Sequence, residues 1–183
     1  MDKTYLLFSE RLKSKRKQKQ FSLQALADHA DVSKSLISKI ENGQVQPTIE
    51  TACRIAEGLN SSLSEMFQIE KAGSVVHHSA EQQFSIDDGE HLKKIMSPSV
   101  RNACIEIFHE NLDSGARIKP TTYFDADKYI LSLNGGLSVK TKDSTYALRE
   151  GDCLHLEKQV EHSLKNRNGS EVKFITIIHH LHQ

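Results

Sequence analysis

The stretch "SKSLISKIENG", Ser33 to Gly43, decides how the first third of this chain is read. On a helix beginning after Ser33, the residues Leu36, Ile37 and Ile40 fall on one side at a period of 3.6. Lys34, Ser35, Ser38, Lys39 and Asn42 fall on the other, without a carboxylate among them. Ser33 has the chemistry of an N-cap, and Gly43 that of a residue just beyond a helix C-terminus. The outward set carries two ammonium groups, two hydroxyls and an amide. Such groups reach phosphates and the acceptor edges of bases.

Working outward, "FSLQALADHA" opens on Ser22 as a second N-cap and lines up Leu23, Leu26, Ala27 and Ala30. "ADVS" breaks that pattern, so two short helices are joined by a three- to four-residue turn, the geometry of a helix-turn-helix. Upstream, Phe8 and Leu12 begin an apolar stripe on a first helix, and Arg16 falls on it at the next turn. A charge on a buried stripe needs a partner, and Glu41, at the edge of the inward face of the helix after Ser33, is the carboxylate expected to pair with it. Arg11, Lys13, Lys15, Lys17 and Lys19 are read as diffuse phosphate attraction or solubility. Thr48 starts a fourth helix, and "SLSEMF" a short fifth.

Charge supports the same division. The chain of 183 residues has no net charge, yet residues 1–48 hold nine Lys/Arg against five Asp/Glu, and residues 49–183 fifteen against nineteen. A basic end on a neutral chain suits a polyanionic partner. No run approaches the roughly 18 apolar residues of a membrane span, and no leader is read at the N-terminus. Three widely spaced cysteines, Cys53, Cys104 and Cys153, suit buried thiols in a reducing cytoplasm.

From about Gly73 the texture changes to short alternating runs, among them "ACIEIFHE", "KYILSL", "HSLKN" and "VKFITII", separated by turn signals such as "NGG" and "REGD". This predicts antiparallel strands in a sandwich or barrel. The segment 79–99 is polar and is left unassigned.

Two resemblances follow from these residues. Over about residues 6–67, the ensemble of Ala27, Val32, Ser33, Ile37, Ile40, "IENG" and Pro47 resembles the Cro/C1 (XRE) helix-turn-helix family, with Asp31 where that family usually has Gly in the turn. The resemblance implies a five-helix, lambda-repressor-like domain. Lys34, Ser35 and Ser38 would approach base edges with Lys39 nearby, Asn42 would touch phosphate, and Arg16 and Glu41 would form the same ion pair. In "REGDCLHLEKQVEHSLKN", Gly151, His162 and Asn166 match the second motif of the cupin barrels, and Glu157 and Gln159 replace its Pro and Gly. "KYILSLNGGLSV" is similar to the end of the first cupin motif, with Gly135 as its terminal Gly.

The implied fold class is a multidomain α + β chain: residues 1–69 a helix-turn-helix domain, 70–75 a linker, and 76–183 an all-β cupin barrel, or double-stranded β-helix. Metal-binding cupins need two His, a Glu and a further His. Counted back from Gly135, the Glu position is Lys128, and the two His positions are Thr121 and Tyr123 or Thr122 and Phe124, leaving His162 alone. Asp125, Asp127 and His109 are the residues nearest to rescuing such a site. No metal, no cofactor and no catalytic residue are therefore expected. His109, Tyr123, Tyr129 and His162 are the expected polar lining of an effector pocket. The expected whole is a cytoplasmic, non-enzymatic regulator: a homodimer joined through the barrel, binding double-stranded operator DNA and a small-molecule effector, with no membrane contact. The alternative is a helix-turn-helix–cupin metalloenzyme of oxygenase or epoxidase type.

Overall fold

The computed structural model describes residues 3–67, 75–100, 103–123 and 125–181, which divide into an N-terminal helical unit and a β unit beginning at His78. The boundaries 69 and 70 of the expected linker fall outside the described residues.

The helical unit contains α1 (Lys3–Gln18), α2 (Leu23–Ala30), α3 (Lys34–Glu41), α4 (Ile49–Gly58) and α5 (Leu63–Phe67). Three of these start on the expected cap chemistry: Ser22, Ser33 and Thr48 accept from the backbone N–H of Ala25, Leu36 and Thr51. None of the short helices would persist alone in water; burial of one face of each holds them. Phe8, Leu12, Leu26, Ile37, Ile40, Ile55, Leu59, Met66 and Phe67 form the interior. Phe67 closes α5 onto α1, its ring 4.7 Å from that of Phe8 and edge-on to Tyr5. A Cβ on Gly58 would lie 3.0 Å from the Ala30 side chain, so the glycine lets α4 pack closely on α2.

The β unit has ten strands: β1 (Phe84–Asp87), β2 (His91–Ile95), β3 (Ile105–Leu112), β4 (Arg117–Thr121), β5 (Ala126–Ser132), β6 (Leu137–Thr141), β7 (Thr145–Leu148), β8 (Cys153–Leu156), β9 (His162–Asn166) and β10 (Val172–His180). They form a six-stranded sheet, β1-β2-β3-β10-β5-β8, and a four-stranded sheet, β4-β9-β6-β7. All pairings are antiparallel. The last eight strands make the two facing four-stranded sheets of a jelly roll, the cupin-like architecture. Strands β1, β2 and β4 were not legible as strands. In β2 the inward positions hold His91 and Lys93, so hydrophobic alternation is hidden.

Buried polar residues interrupt the apolar inward faces away from one end of the barrel. On β3 the sequence is Leu112, Glu110, Phe108, Glu106; on β10 Phe174, Thr176, Ile178; on β5 Ile130 then Lys128; on β9 Leu164 then His162. One end of the barrel is a packed cluster that includes Leu112, Leu137, Val139, Leu164, Val172 and Phe174. The other carries buried charge.

The motif residue Asn166 closes the apolar end. It is fully buried, its Nδ2 lies 2.8–2.9 Å from the carbonyls of Leu112, Asp113 and Ser170, and its Oδ1 accepts from Asn168 N–H. Asn166→Ala orphans those carbonyls, and by the usual ~1–3 kcal/mol for a buried unsatisfied group, roughly 3 kcal/mol of stability should be lost. Urea unfolding checks this; a loss within error of zero would show that the carbonyls find other partners.

Candidate nucleic-acid interface and barrel interior

The helix-turn-helix is fixed by two ion pairs. Arg16 Nε lies 2.6 Å from Glu41 Oε1 and Nη2 3.1 Å from Oε2, a bidentate fork, while Nη1 donates to the carbonyl of Phe21. The hydrogen bond to Glu41 holds the guanidinium pKa above its ordinary value, against the effect of burial. The fork ties the C-terminal end of α1 to that of α3. At the turn, Asp31 takes the left-handed conformation (φ 49°, ψ 47°) where the family usually has Gly. Asp adopts it more readily than most residues, and Arg54 Nη1 clamps it by donating to the Asp31 carboxylate at 2.8 Å and its carbonyl at 3.0 Å. Sequence reasoning missed Arg54, whose place in α4 gives no local hint of a contact 23 residues away. Arg11 and Lys15 are also corrected from diffuse basic residues: both bind Glu65 at α5, Arg11 to its carbonyl and Lys15 to its carboxylate at 3.1 Å.

With Ile37 and Ile40 buried, α3 presents Lys34, Ser35 and Lys39 to solvent and Ser38 at the margin. Asn42 is exposed, and its amide is turned back onto the carbonyl of Ser38 at 2.9 Å, finishing the helix. Ser35 Oγ lies 3.3 Å from Ser33 Oγ. Beside this face, Gln24, Asp28 and Asp31 line an open cleft with Val32, Ser33 and Lys34.

In the barrel, two of the four expected pocket residues lie elsewhere. Alternation sends Glu106, Phe108 and Glu110 inward from β3, so His109 faces outward with Ile105 and Ile107. On β5, Lys128 and Ile130 face inward, so Tyr129 faces outward and stacks on His155 at 4.6 Å. The error is one of register: β3 and β5 carry apolar residues on both faces, and a shift of one residue exchanges the faces. His109 has its pKa lowered by burial first, then by Lys173 and Lys94. Asp127 also belongs to the outer set, accepting from Lys158 N–H and lying 3.5 Å from His155; Asp125 is exposed. None of the three cysteines forms a disulfide, and the expectation of buried thiols is corrected: Cys53 and Cys104 are half-buried and Cys153 is exposed.

His162 and Tyr123 are brought together, ring centroids 6.4 Å apart, and Lys128 joins them. Its Nζ lies 3.1 Å from His162 Nε2 and 5.6 Å from the centre of the Tyr123 ring. An ammonium only donates, so Nε2 is the acceptor. Nδ1 then carries the ring hydrogen and donates it to the Val160 carbonyl at 3.0 Å. Burial, and after it the Lys128 charge, lower the His162 pKa to about 4, against the Val160 bond. Nearby, Glu110 accepts from His91 Nε2 at 2.6 Å and faces Lys93 Nζ at 3.4 Å. Burial alone would raise the Glu110 pKa, but Lys93, the His91 hydrogen bond and Lys128 hold it well below the usual carboxylate range. Glu106 accepts from His180 Nε2 at 2.9 Å.

These residues do not fit a cupin metal centre. At the expected Glu position Lys128 brings a positive charge, and its ammonium takes the lone pair with which His162 would bind a metal. Thr121 and Tyr123 are not histidines, and Phe124 lies outside the described residues. Among the described residues no three His, Cys, Asp or Glu side chains are grouped to hold a metal ion.

Residues 12–66 match the helix-turn-helix family HTH_3 and form a domain of that XRE type. Over 181 residues, 98% of each chain, the sequence is 25% identical to the HTH-type transcriptional regulator SutR of Escherichia coli K12. The crystal structure of an HTH_3 family transcriptional regulator from Vibrio cholerae shares the fold with a TM-score of 0.79, at 23% identity and 98% coverage of both chains. Hydroxypropylphosphonic acid epoxidase from S. wedmorenis is a more distant likeness: TM-score 0.51, 18% identity, 95% of this chain and 97% of that one.

The Lys128–His162 contact makes a titration test. Between pH 6.5 and about 4 an unfolded chain holds a proton on this imidazole that the folded chain does not, so stability falls as pH drops through that window. Lys128→Met removes the repulsion but keeps the burial. The His162 pKa should then rise from about 4 while staying below 6.5 in an NMR titration; an unchanged value would contradict the contact.

Proposed function

We propose that this chain, whose residues 12–66 form an HTH_3 helix-turn-helix domain, is a sequence-specific DNA-binding transcriptional regulator with a cupin-like barrel that dimerises it and senses a small molecule. The carrying observation is the outer face of α3, held by the Arg16–Glu41 fork and presenting Lys34, Ser35, Ser38 and Lys39 without a carboxylate. Lys34, Ser35 and Ser38 read base edges, and Lys39 and Asn42 contact the backbone. The domains are 1–69 and 76–183, with 70–75 as linker. Among the described residues no helix is long and apolar enough to cross a membrane, and the site of action is the cytoplasm, where the DNA is.

Random-sequence DNA selection tests the reading face. Replacing Lys34, Ser35 and Ser38 together by Ala should change the recovered motif, at ~1–3 kcal/mol per good contact. The same motif from wild type and variant would refute the assignment.

Dimerisation through the barrel fits the outward face of its larger sheet. The outward face of β3, β10 and β5 carries Ile107, Ile175, Ile177, Tyr129 and Leu131, with Ile105 48% exposed. An antiparallel sheet with one solvated face usually alternates apolar-in with polar-out. Here the outer face is apolar at the centre and edged by Lys94, His109, Lys173 and His179, the anatomy of an interface. A two-fold dimer presents two recognition helices to half-sites about one turn, ~34 Å, apart. Ile177→Asp in the full chain should give a monomer in sedimentation and weaken operator binding. A dimer of unchanged strength would remove this face from the account.

The epoxidase likeness raises the metalloenzyme reading, which needs the ligand set that Lys128 displaces.

A further inference from the structure

The two sheets of the β unit have outer faces of opposite chemistry. The six-stranded sheet carries the isoleucines of the dimer face. The strands of the four-stranded sheet, β4, β9, β6 and β7, contain Arg117, Lys119, Lys140 and Lys165 and no Asp or Glu. Over residues 49–183 acidic residues outnumber basic ones, nineteen to fifteen, so this sheet is a basic island in an acidic region. Leu137, Val139 and Leu164 face the core, so Lys140 and Lys165 face outward by alternation. The register carries the outer face across the sheet: Arg117 is opposite Lys165, and Lys140 is opposite Ser163 on one side and Thr145 on the other. Arg117, Lys140 and Lys165 are exposed, and none of them makes an ion pair or a side-chain hydrogen bond with a described residue. Arg117 and Lys165 are like charges set directly opposite, which is unfavourable. Lys140 is diagonal to Lys165, so each of these cations rises within about 8 Å of another.

We propose that the outer face of the four-stranded sheet binds the phosphate backbone of duplex DNA, a sequence-independent contact that adds to the reading of bases by α3 and stands or falls apart from it. An anion over Arg117 and Lys165 turns their mutual repulsion into attraction to a shared partner. The remainder of the face selects among polyanions. Ser163, Thr145 and Ala147 stand among the cations, without an aromatic ring or an apolar side chain larger than alanine; Tyr146 is opposite Val139, on the inward row. A protein partner is held by aromatic or aliphatic anchors at the centre of the patch, which the other sheet offers and this one lacks. Single-stranded nucleic acid needs aromatic side chains on which its bases stack. A membrane surface is held by apolar side chains sunk among the lipids together with basic ones. Duplex phosphates need only cations on a rigid support. They present one negative charge per roughly 1.7 Å of helix axis, and a helix-turn-helix protein already meets them. The dimer face belongs to the other sheet, so the two uses do not compete for residues.

The test uses the full-length protein and double-stranded DNA of mixed sequence, with affinity followed by fluorescence anisotropy as salt is raised. The plot of log affinity against log salt steepens by roughly 0.9 for each phosphate contact. Arg117→Gln combined with Lys165→Gln should therefore make the slope shallower by about two units. Exposed substitutions of this kind change stability little, and a urea midpoint checks that the variant is folded. Arg149→Gln combined with Lys158→Gln removes the same charge from the exposed segments after β7 and β8, and its slope should match that of the wild type. Two results overturn the proposal: an unchanged slope in the first variant, or an equal loss in both, which would mark the field of the net charge and not a contact. With the slope unchanged, loss of binding to phosphatidylserine vesicles would assign the face to a membrane, and a changed sedimentation coefficient would assign it to a second copy. DNA selection separates this contact from base reading. The Arg117 and Lys165 variant should recover the wild-type motif; an altered motif would refute sequence independence. A flattened slope here, together with an unaltered motif in the Lys34, Ser35 and Ser38 variant, keeps the sheet contact and refutes the reading face. The reverse pair of results keeps the reading face and refutes the sheet contact.

Discussion

An ammonium ion inside a β-barrel must find an acceptor, and in this chain the Lys128 ammonium finds the ring nitrogen of His162. That one contact decides the character of the β unit. It fixes the His162 tautomer, adds to the burial that keeps the ring neutral through the physiological range, and occupies the lone pair that a metal would need. It also places a positive charge near Glu110, which is ionised and fully buried because Lys93, His91 and Lys128 surround it. Breaking such a group by removing one partner is expensive, whereas replacing the whole group by apolar residues of similar volume is often tolerated. The polar end is therefore a network, and its parts act together.

The helical unit meets a related constraint by different means. A recognition helix of eight residues cannot hold its own shape or direction. Ile37 and Ile40 anchor its inner side. The Arg16–Glu41 fork then sets its far end, and Arg54 sets the turn before it through Asp31. The exposed Arg54–Asp31 pair has a small worth as a surface ion pair. Its second bond, to the Asp31 carbonyl, orients the turn backbone as well. Lys34, Ser35 and Lys39 thus stand outward on a rigid base, as the proposed reading of DNA requires.

What the sequence revealed depended on whether hydrophobic periodicity was intact. The helices were legible because Ser22, Ser33 and Thr48 punctuate clean 3.6-residue patterns, and Arg16 stood out as a charge on an apolar stripe. Strands β9 and β10 were legible from alternation. Strand β2 was not, because "HLKKI" turns His91 and Lys93 inward, toward a carboxylate on another strand. His109 and Tyr129 were placed on the wrong face because Ile105, Ile107 and Leu131 make the outer face as apolar as the inner one. The cupin motif was legible through Gly135, Gly151, His162 and Asn166. Gln159 stands at its Gly position and still takes the left-handed φ of 67°, its N–H held by the Tyr123 carbonyl at 2.7 Å. No sequence rule pointed to Arg54, whose role arises from a contact between distant segments.

The central claim, that a lysine rather than a metal organises this barrel, is tested most directly by the two-bond proton–nitrogen NMR spectrum of His162 in the intact protein near neutral pH, before and after addition of zinc. The account predicts a neutral ring protonated at Nδ1, with Nε2 unprotonated and its signal unchanged by the metal. A ring protonated at Nε2, or an Nε2 signal that zinc displaces, would contradict it.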